Sequence, residues 1–332
     1  MAIKVALLGA GRIGKVHARA VSASEGATLV AVADAFPEAA ESLAAGYGAN
    51  VRSIDEIAVS EDVDAVVICT PTTTHADLIE QCARAGKAVF CEKPIDLSLD
   101  RVKSCLKTIE DLGALLMIGF NRRFDPHFKA VRDAIDAGRI GDVEMVQITS
   151  RDPGAPPPSY IETSGGIFRD MTIHDFDMAR FLLGEEITTV YATGSVLVDP
   201  EIGKLGDYDS AIVVLTTGSG KQCSISNSRR ATYGYDQRVE VHGSTGAVAA
   251  ENLRPVSIEL ATQDGYTRPP LHDFFMTRYL DAYAAEIAAF IDAVENGRVP
   301  SPSGEDGLKA LALAEAALKS VAERRAVGMD EI

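Results

Sequence analysis

Residues 3–14 read Ile3-Lys4-Val5-Ala6-Leu7-Leu8-Gly9-Ala10-Gly11-Arg12-Ile13-Gly14, and this stretch decides the fold. Its first half is a short apolar run with β-branched residues, the pattern of a strand buried on both faces of a parallel sheet. Its second half is Gly-x-Gly-x-x-Gly, and a helical stretch follows to about Ala23. A strand that turns through this pattern into a helix is the setting in which it binds a dinucleotide. Gly9 allows the tight turn, Gly11 lets the backbone approach a pyrophosphate at the helix N-terminus, and Gly14 permits close helix–strand packing.

A second strand, Leu29 to Ala33, ends at Asp34. A carboxylate there accepts hydrogen bonds from a ribose 2′-OH and repels a 2′-phosphate. Ala35 and Phe36 follow it, with no nearby Arg or Lys to hold such a phosphate. The expected cofactor is therefore NAD rather than NADP.

Further strand-like pieces end in polar loops. Residues 65–69 run into Thr70-Pro71, residues 88–91 into Glu92-Lys93-Pro94, and residues 115–120 into Asn121. Strands alternating with helices predict a doubly wound parallel sheet of the Rossmann kind. This dinucleotide-binding domain is expected to span residues 1–122.

Residues 123–332 have another rhythm. Helices are expected near 126–137 and 169–183. Strand candidates lie at 143–150, 188–198, 209–217, 221–228, 236–242, 246–251 and 256–261, and long helices at 273–296 and 305–325. Strands close in sequence predict a large, mostly antiparallel sheet with helices on one face, so the whole chain reads as α/β.

Composition narrows the partners. The chain has 332 residues, about two domains' worth, and a formal net charge of −16. Such a surface repels phosphate polyanions and argues against nucleic acid or an anionic membrane as partner. Cys69, Cys82, Cys91, Cys105 and Cys223 are odd in number and include no CxxC pair, which fits free thiols in a reducing compartment. No apolar run approaches the roughly 18 residues of a membrane span, and a strand begins at Ile3 where a signal peptide would stand. A neutral small molecule would be indifferent to the field of the net charge, and a cytoplasmic soluble protein is the expectation.

Two places carry candidate chemistry. Lys93 follows a parallel strand, at the edge where doubly wound sheets place ligands. A lysine there is either a solvated loop charge or a donor that stabilises a developing alkoxide. In the second place, a continuous helix at 169–183 would put Asp170, His174 and Asp177 within an arc of about 60° on an otherwise largely apolar circumference. That stripe is either a structural His–Asp hydrogen bond or a general base tunable across neutral pH. His174 with Asp170 and Asp177 could also ligate a metal, but His17, His75, His127, His242 and His272 show no ligand spacing and hydride transfer needs no metal. None is expected.

Taken in order, Gly9–Gly14, Asp34, Cys69-Thr70-Pro71 with His75, Glu92-Lys93-Pro94 and the segment from Asp170 to His174 resemble the Gfo/Idh/MocA oxidoreductase family over essentially the whole chain. The stretches 119–125, 165–175 and 233–237 most resemble members that oxidise inositol. The resemblance implies a Rossmann domain, a C-terminal α/β domain, and a homotetramer formed through the C-terminal sheet. It implies NAD-dependent oxidation of a ring hydroxyl of myo-inositol to an inosose, with scyllo-inositol, chiro-inositol or an aldose as alternative substrates. Carried to matching positions, Lys93, Asp170 and His174 are the catalytic set. Substrate contacts are Lys93, Arg123, Asp170, His174, Asp177 and Tyr233. The cofactor is met by Gly9, Gly11, Arg12, Ile13, Gly14, Asp34, Thr70, Pro71, His75, Glu92, Lys93 and Asn121. The residues from Arg151 through the prolines at 156–158 are expected to tune substrate choice. A different class, a non-catalytic NAD- or sugar-sensing regulator, is also built on this fold, but it has no need of a proton path through Lys93 and His174.

Overall fold

A computed structural model describes residues 2–332. Two compact units are present, one of residues 1–125 with 280–311 and the other of residues 126–279 with 312–332.

In the first unit, β1 (Ile3–Leu8), α1 (Arg12–Ala23), β2 (Ala27–Ala33), α2 (Pro37–Tyr47), β3 (Asn50–Val51), α3 (Ile54–Val59), β4 (Ala65–Ile68), α4 (His75–Arg84), β5 (Ala88–Glu92), α5 (Leu99–Leu112) and β6 (Leu116–Gly119) follow one another. The strands form one sheet in the order β3-β2-β1-β4-β5-β6, and all pair in parallel. This is the dinucleotide-binding order, and the crevice lies where the order reverses, beyond the C-terminal ends of β1 and β4. Val5, Leu7, Val66, Val67, Val89 and Phe90 are wholly buried. Near-continuous apolar strands are what a sheet covered on both faces requires.

The chain returns to this unit late. A helix at Leu280–Asn296 places Ile287, Phe290 and Ile291 in one apolar cluster with Val5, Val21, Val32 and Phe90. A single cut after residue 122 therefore does not describe the units. The first break falls after Asp125, and residues 280–311 rejoin the first unit because the apolar side of α1 needs a cover that the first 125 residues do not supply. The stretch 273–296, read as one helix, is broken at Tyr279 into Phe275–Arg278 and Leu280–Asn296.

The second unit begins with α6 (Pro126–Asp136), β7 (Val143–Arg151), α7 (Pro158–Ser164), α8 (Gly166–Asp170), α9 (Thr172–Leu183) and β8 (Ile187–Ser195). It continues through β9 (Ser210–Thr217), β10 (Gln222–Ser228), β11 (Asp236–Gly243) and β12 (Gly246–Ala250). Its sheet runs β12-β11-β7-β10-β9-β8 and ends on a short strand at Val327–Gly328. The β7–β10 pair is parallel and the others antiparallel, as the strand-rich sequence led one to expect. α9 packs on β7 and β10. Along β9, Ala211, Val213 and Leu215 are buried while Ile212 and Val214 are exposed, so the opposite face is open.

All five cysteines are buried and free. Burial pushes the Cys82 thiol up to about 11 and the Cys105 thiol up to about 12, which keeps both protonated and unreactive at neutral pH.

The returning helix makes a testable demand. Phe290→Ala should lower unfolding free energy by about 3–5 kcal/mol in a urea melt; a loss well under 1 kcal/mol would mean the helix is a dispensable cover.

Candidate active site

The fingerprint turn has a construction its glycines explain. Gly9 has φ +102, and a Cβ there would lie 2.6 Å from the Cys69 carbonyl oxygen at the head of the neighbouring crossover. A Cβ on Gly14 would lie 1.9 Å from the Gly9 carbonyl oxygen, so only hydrogen lets α1 come down onto its own turn. Around Gly11, which caps α1, there is open space. The first N–H groups of a helix point outward there with the positive end of its dipole, which suits a pyrophosphate. Arg12 and Ile13 form the first turn beside it.

Asp34 is held in place in advance. Its Oδ2 accepts the Ala10 N–H at 2.6 Å and its Oδ1 the Phe36 N–H at 2.8 Å. Each carboxylate oxygen has a second lone pair, so two ribose hydroxyls can still be met. These backbone bonds are a feature the sequence did not announce.

Beyond β4 and β5 the loops are tied by His75, which is buried at the start of α4. Its Nδ1 lies 2.8 Å from the Pro94 carbonyl and its Nε2 2.8 Å from the Thr70 carbonyl. Both partners are carbonyls and a neutral ring carries one N–H, so His75 donates to Pro94 in one tautomer and to Thr70 in the other. Burial pushes its pKa below the ordinary histidine value, more strongly than the backbone hydrogen bonds raise it. Lys93 is partly exposed, and its backbone N–H donates to Glu92 Oε2 at 3.3 Å. Glu92 is buried and bonded to His17 at 2.7 Å, so its carboxylate too is committed within the protein. Asn121 opens a 3-10 turn after β6 and is 2 % exposed, and its Nδ2 has no protein partner. A buried, unsatisfied amide calls for an explanation, and a ligand acceptor is one. Arg123, on the same turn, bonds Asp306 at 3.0 Å.

In the second unit the expected helix of residues 169–183 is two helices. α8 ends at Asp170, Met171 intervenes, and α9 starts at Thr172. The Thr172 hydroxyl reaches the Ile167 carbonyl at 3.2 Å and the Asn227 amide oxygen at 2.7 Å. Such side-chain bonds compete with the helix's own ladder. Met171 keeps right-handed helical angles, and Asp170 precedes it as the last residue of α8. It stands at a helix end, and its carboxylate meets the Tyr160 hydroxyl at 2.8 Å and the buried Arg229 at 3.5 Å. His174 is partly exposed on α9, whereas Asp177 is buried with Arg180 at 4.0 Å. Asp175, wholly buried, accepts the Asn227 amide at 2.7 Å, which pins the α9 turn next to His174.

Tyr233, half exposed, donates to Asp236 at 2.6 Å and lies 3.1 Å from Arg151. Burial and the neighbouring Asp236 carboxylate raise its pKa, so the phenol is a hydrogen-bond donor at neutral pH. Tyr160, Arg229, Asn227 and Asp175 escaped sequence reading because nothing in their spacing marks them; only the fold brings them together. His17 had a signal in principle, since three residues past Gly14 on a helix share its inward face. Among the described residues no group of three or more His, Cys, Asp or Glu side chains is arranged to hold a metal ion.

With this geometry in hand, comparison with known proteins is informative. Residues 3–120 match the model of the oxidoreductase family's NAD-binding Rossmann fold, and residues 132–329 that of its C-terminal alpha/beta domain. The chain belongs to the Gfo/Idh/MocA oxidoreductase family. It is 71 % identical over 329 residues to the inositol 2-dehydrogenase of Rhizobium meliloti strain 1021, covering 99 % of this chain and 100 % of that protein. It is similar to the crystal structure of a myo-inositol dehydrogenase from Corynebacterium glutamicum, with TM-score 0.96, 44 % identity and 99 % of each chain covered. A myo-inositol dehydrogenase from Lactobacillus casei, solved in complex with NAD(H) and myo-inositol, matches with TM-score 0.88 and 26 % identity over 99 % of this chain and 97 % of that one.

His75 gives a pH prediction with a definite sign. Its folded pKa is depressed, so its contribution to stability is full above the unfolded value of about 6.5 and fades as pH falls through the folded value. The gap in Tm between the natural protein and His75→Gln should narrow from pH 7.5 to 5; a gap that widens on acidification would contradict this sign.

Proposed function

We propose that this protein is an NAD-dependent dehydrogenase that oxidises a ring hydroxyl of myo-inositol to an inosose. The observation that carries the reading is the end-to-end 71 % identity to an inositol 2-dehydrogenase, on a chain that has the fingerprint turn, Asp34, Lys93, Asp170 and His174. The residues fit the dinucleotide: open space at Gly11 takes the pyrophosphate, Asp34 the adenosine ribose, and the buried Asn121 amide an acceptor on the nicotinamide side. Bound NAD⁺ supplies the acceptor for the carbinol hydride.

The protein's own groups manage the proton and the charge. His174 takes the hydroxyl proton, with Asp175 and Asn227 holding its turn of α9. Lys93 donates to the oxygen as it becomes an alkoxide, where a fixed cation is worth most. Asp170, held by Tyr160 and Arg229, accepts from a substrate hydroxyl. Arg123, Asp177 and Tyr233 belong to the substrate side. Thr70 and Pro71, with His75 behind them, form the turn that faces the cofactor. A neutral polyol read by Asp, Arg and Tyr meets no repulsion from the net charge of −16, and sites that bond hydroxyls discriminate strongly against analogues without them. The Arg151 loop, through the Arg151–Tyr233 contact, is placed to tune which cyclitol is accepted.

Assembly and setting complete the proposal. The open face of the second sheet exposes Tyr191, Ile212 and Val214, apolar side chains that a homotetramer would cover through this sheet. Sedimentation should then give about four times the mass of the 35.2 kDa chain. Free buried thiols favour a cytoplasmic setting, and among the described residues no helix is long and apolar enough to cross a membrane.

The deciding assay follows NADH absorbance with myo-, scyllo- and chiro-inositol and aldoses, using NAD⁺ and NADP⁺ in parallel. Myo-inositol with NAD⁺ should be fastest; tight NAD binding without NADH from any polyol would favour a sensor instead. Lys93→Ala and His174→Ala should each cut turnover by about 10²–10⁴-fold while the NAD dissociation constant changes little. Asp34→Ala should weaken kcat/KM for NAD⁺ by about 10–100-fold and narrow its lead over NADP⁺.

A further inference from the structure

Two histidines outside the catalytic set hold the segment that carries Lys93. His17 lies on the fingerprint helix α1 and is wholly buried, with its ring edge-on to Phe90 and Tyr283 at 5.0 and 5.4 Å between centroids. Its Nε2 is 2.7 Å from Glu92 Oε1, and Glu92 Oε2 accepts the Lys93 backbone N–H at 3.3 Å. There is room for this carboxylate because its partner across the β5–β6 pairing is Gly119, where a Cβ would come within 3.2 Å of it. On the other side of the lysine, His75 sits 2.8 Å from the Pro94 carbonyl and 2.8 Å from the Thr70 carbonyl. The residue before Lys93 is thus tied by one buried imidazole and the residue after it by another, His75, whose single N–H in the neutral ring serves Pro94 in the Nδ1–H tautomer and Thr70 in the Nε2–H tautomer. One tie leads to the dinucleotide helix and the other to the Thr70-Pro71 turn.

We infer that His17 and His75 are positioning residues that register the Lys93 backbone against the dinucleotide turn and the Thr70 turn. This deepens the proposed reaction and rests on the reading of Lys93 as the group that acts on the substrate oxygen. Neither ring is exposed beyond 2 %, so each acts through the residues it holds. A lysine has a flexible four-carbon stem, and a loop with free ends would add backbone motion to it. Pinning both neighbours leaves only the side-chain torsions to be ordered. A misplacement of about 1 Å at a reacting group costs about 10²-fold in rate. The placement of the lysine and that of the cofactor are then set by one hydrogen-bonded frame rather than separately.

The two bonds of His75 can be separated by chemistry. His75→Asn places an amide near the former Nδ1 and can keep the Pro94 bond; His75→Gln places one near Nε2 and can keep the Thr70 bond. The Gln variant should lose about tenfold or more in kcat with KM for NAD⁺ near normal. The Asn variant should hold kcat and raise KM for NAD⁺. His17→Gln, which restores an N–H toward Glu92, should retain more kcat than His17→Leu. In a Lys93→Ala background, His75→Gln should cause no further fall in the residual rate. Equal losses in the Asn and Gln variants, or the same fall with Lys93 absent, would overturn the inference and leave both rings merely structural. Should His17→Leu fail to fold, the pair at residue 75 still decides. Near-normal turnover of Lys93→Ala by itself would instead bring down the assignment of the lysine, and this inference with it.

Discussion

A single close approach governs the first unit: the α-carbon of Gly14 lies so near the Gly9 carbonyl that a Cβ would stand 1.9 Å from it. That contact seats α1 directly on β1, and three consequences follow from the seating. The helix N-terminus opens onto the end of the sheet where ligands bind. The inward side of α1, with Ala18 and Val21, joins the core. His17, three residues past Gly14, is driven into the interior, where its Nε2 pairs with Glu92 and its Nδ1 has no hydrogen-bond partner. A buried polar group without a partner would cost about 1–3 kcal/mol, so the pairing is a condition of the packing as well as a link to Lys93.

The second unit meets a related problem with carboxylates. Asp170, Asp175, Asp207 and Asp209 lie on or beside elements that pack together, and each is matched by donors. Asp170 has Tyr160 and Arg229, Asp175 has Asn227, Asp207 has the Ile167 N–H on one oxygen while its buried Oδ2 has no hydrogen-bond partner, and Asp209 takes the N–H groups of Leu197, Val198 and Asp199. Asp207 and Asp209 differ instructively. Burial raises the pKa of Asp207 above the usual range, whereas for Asp209 burial is outweighed by its backbone and Ser210 hydrogen bonds and the pKa falls. Donor supply, as well as depth, sets the charge of a carboxylate here.

Much of this was legible from the residues alone. The period of the apolar runs and the Gly-x-Gly-x-x-Gly pattern gave the parallel sheet, and Asp34 stands where its position after the second strand requires. The closely spaced strands after residue 140 gave a mostly antiparallel sheet. What misled was helix continuity. A run of helix-compatible residues from 169 to 183 gives no sign of a break at Met171, and the bond that accompanies it, from Thr172 to Asn227, reaches far along the chain. The return of residues 280–311 to the first unit was hidden for a similar reason: an apolar helix face says that it will be covered, not by what.

Local chemistry and periodicity, then, were fixed by the order of residues: which segments extend, which coil, where glycine alone fits, and which cofactor a lone carboxylate favours. Partner choice was not. That His17 meets Glu92, that His75 joins the Thr70 and Pro94 carbonyls, and that Asp170 is met by Tyr160 and Arg229 depends on contacts between residues up to 75 positions apart. Such contacts are decided only when the elements pack, because burial forces each polar group to take whichever complementary group the fold brings within reach.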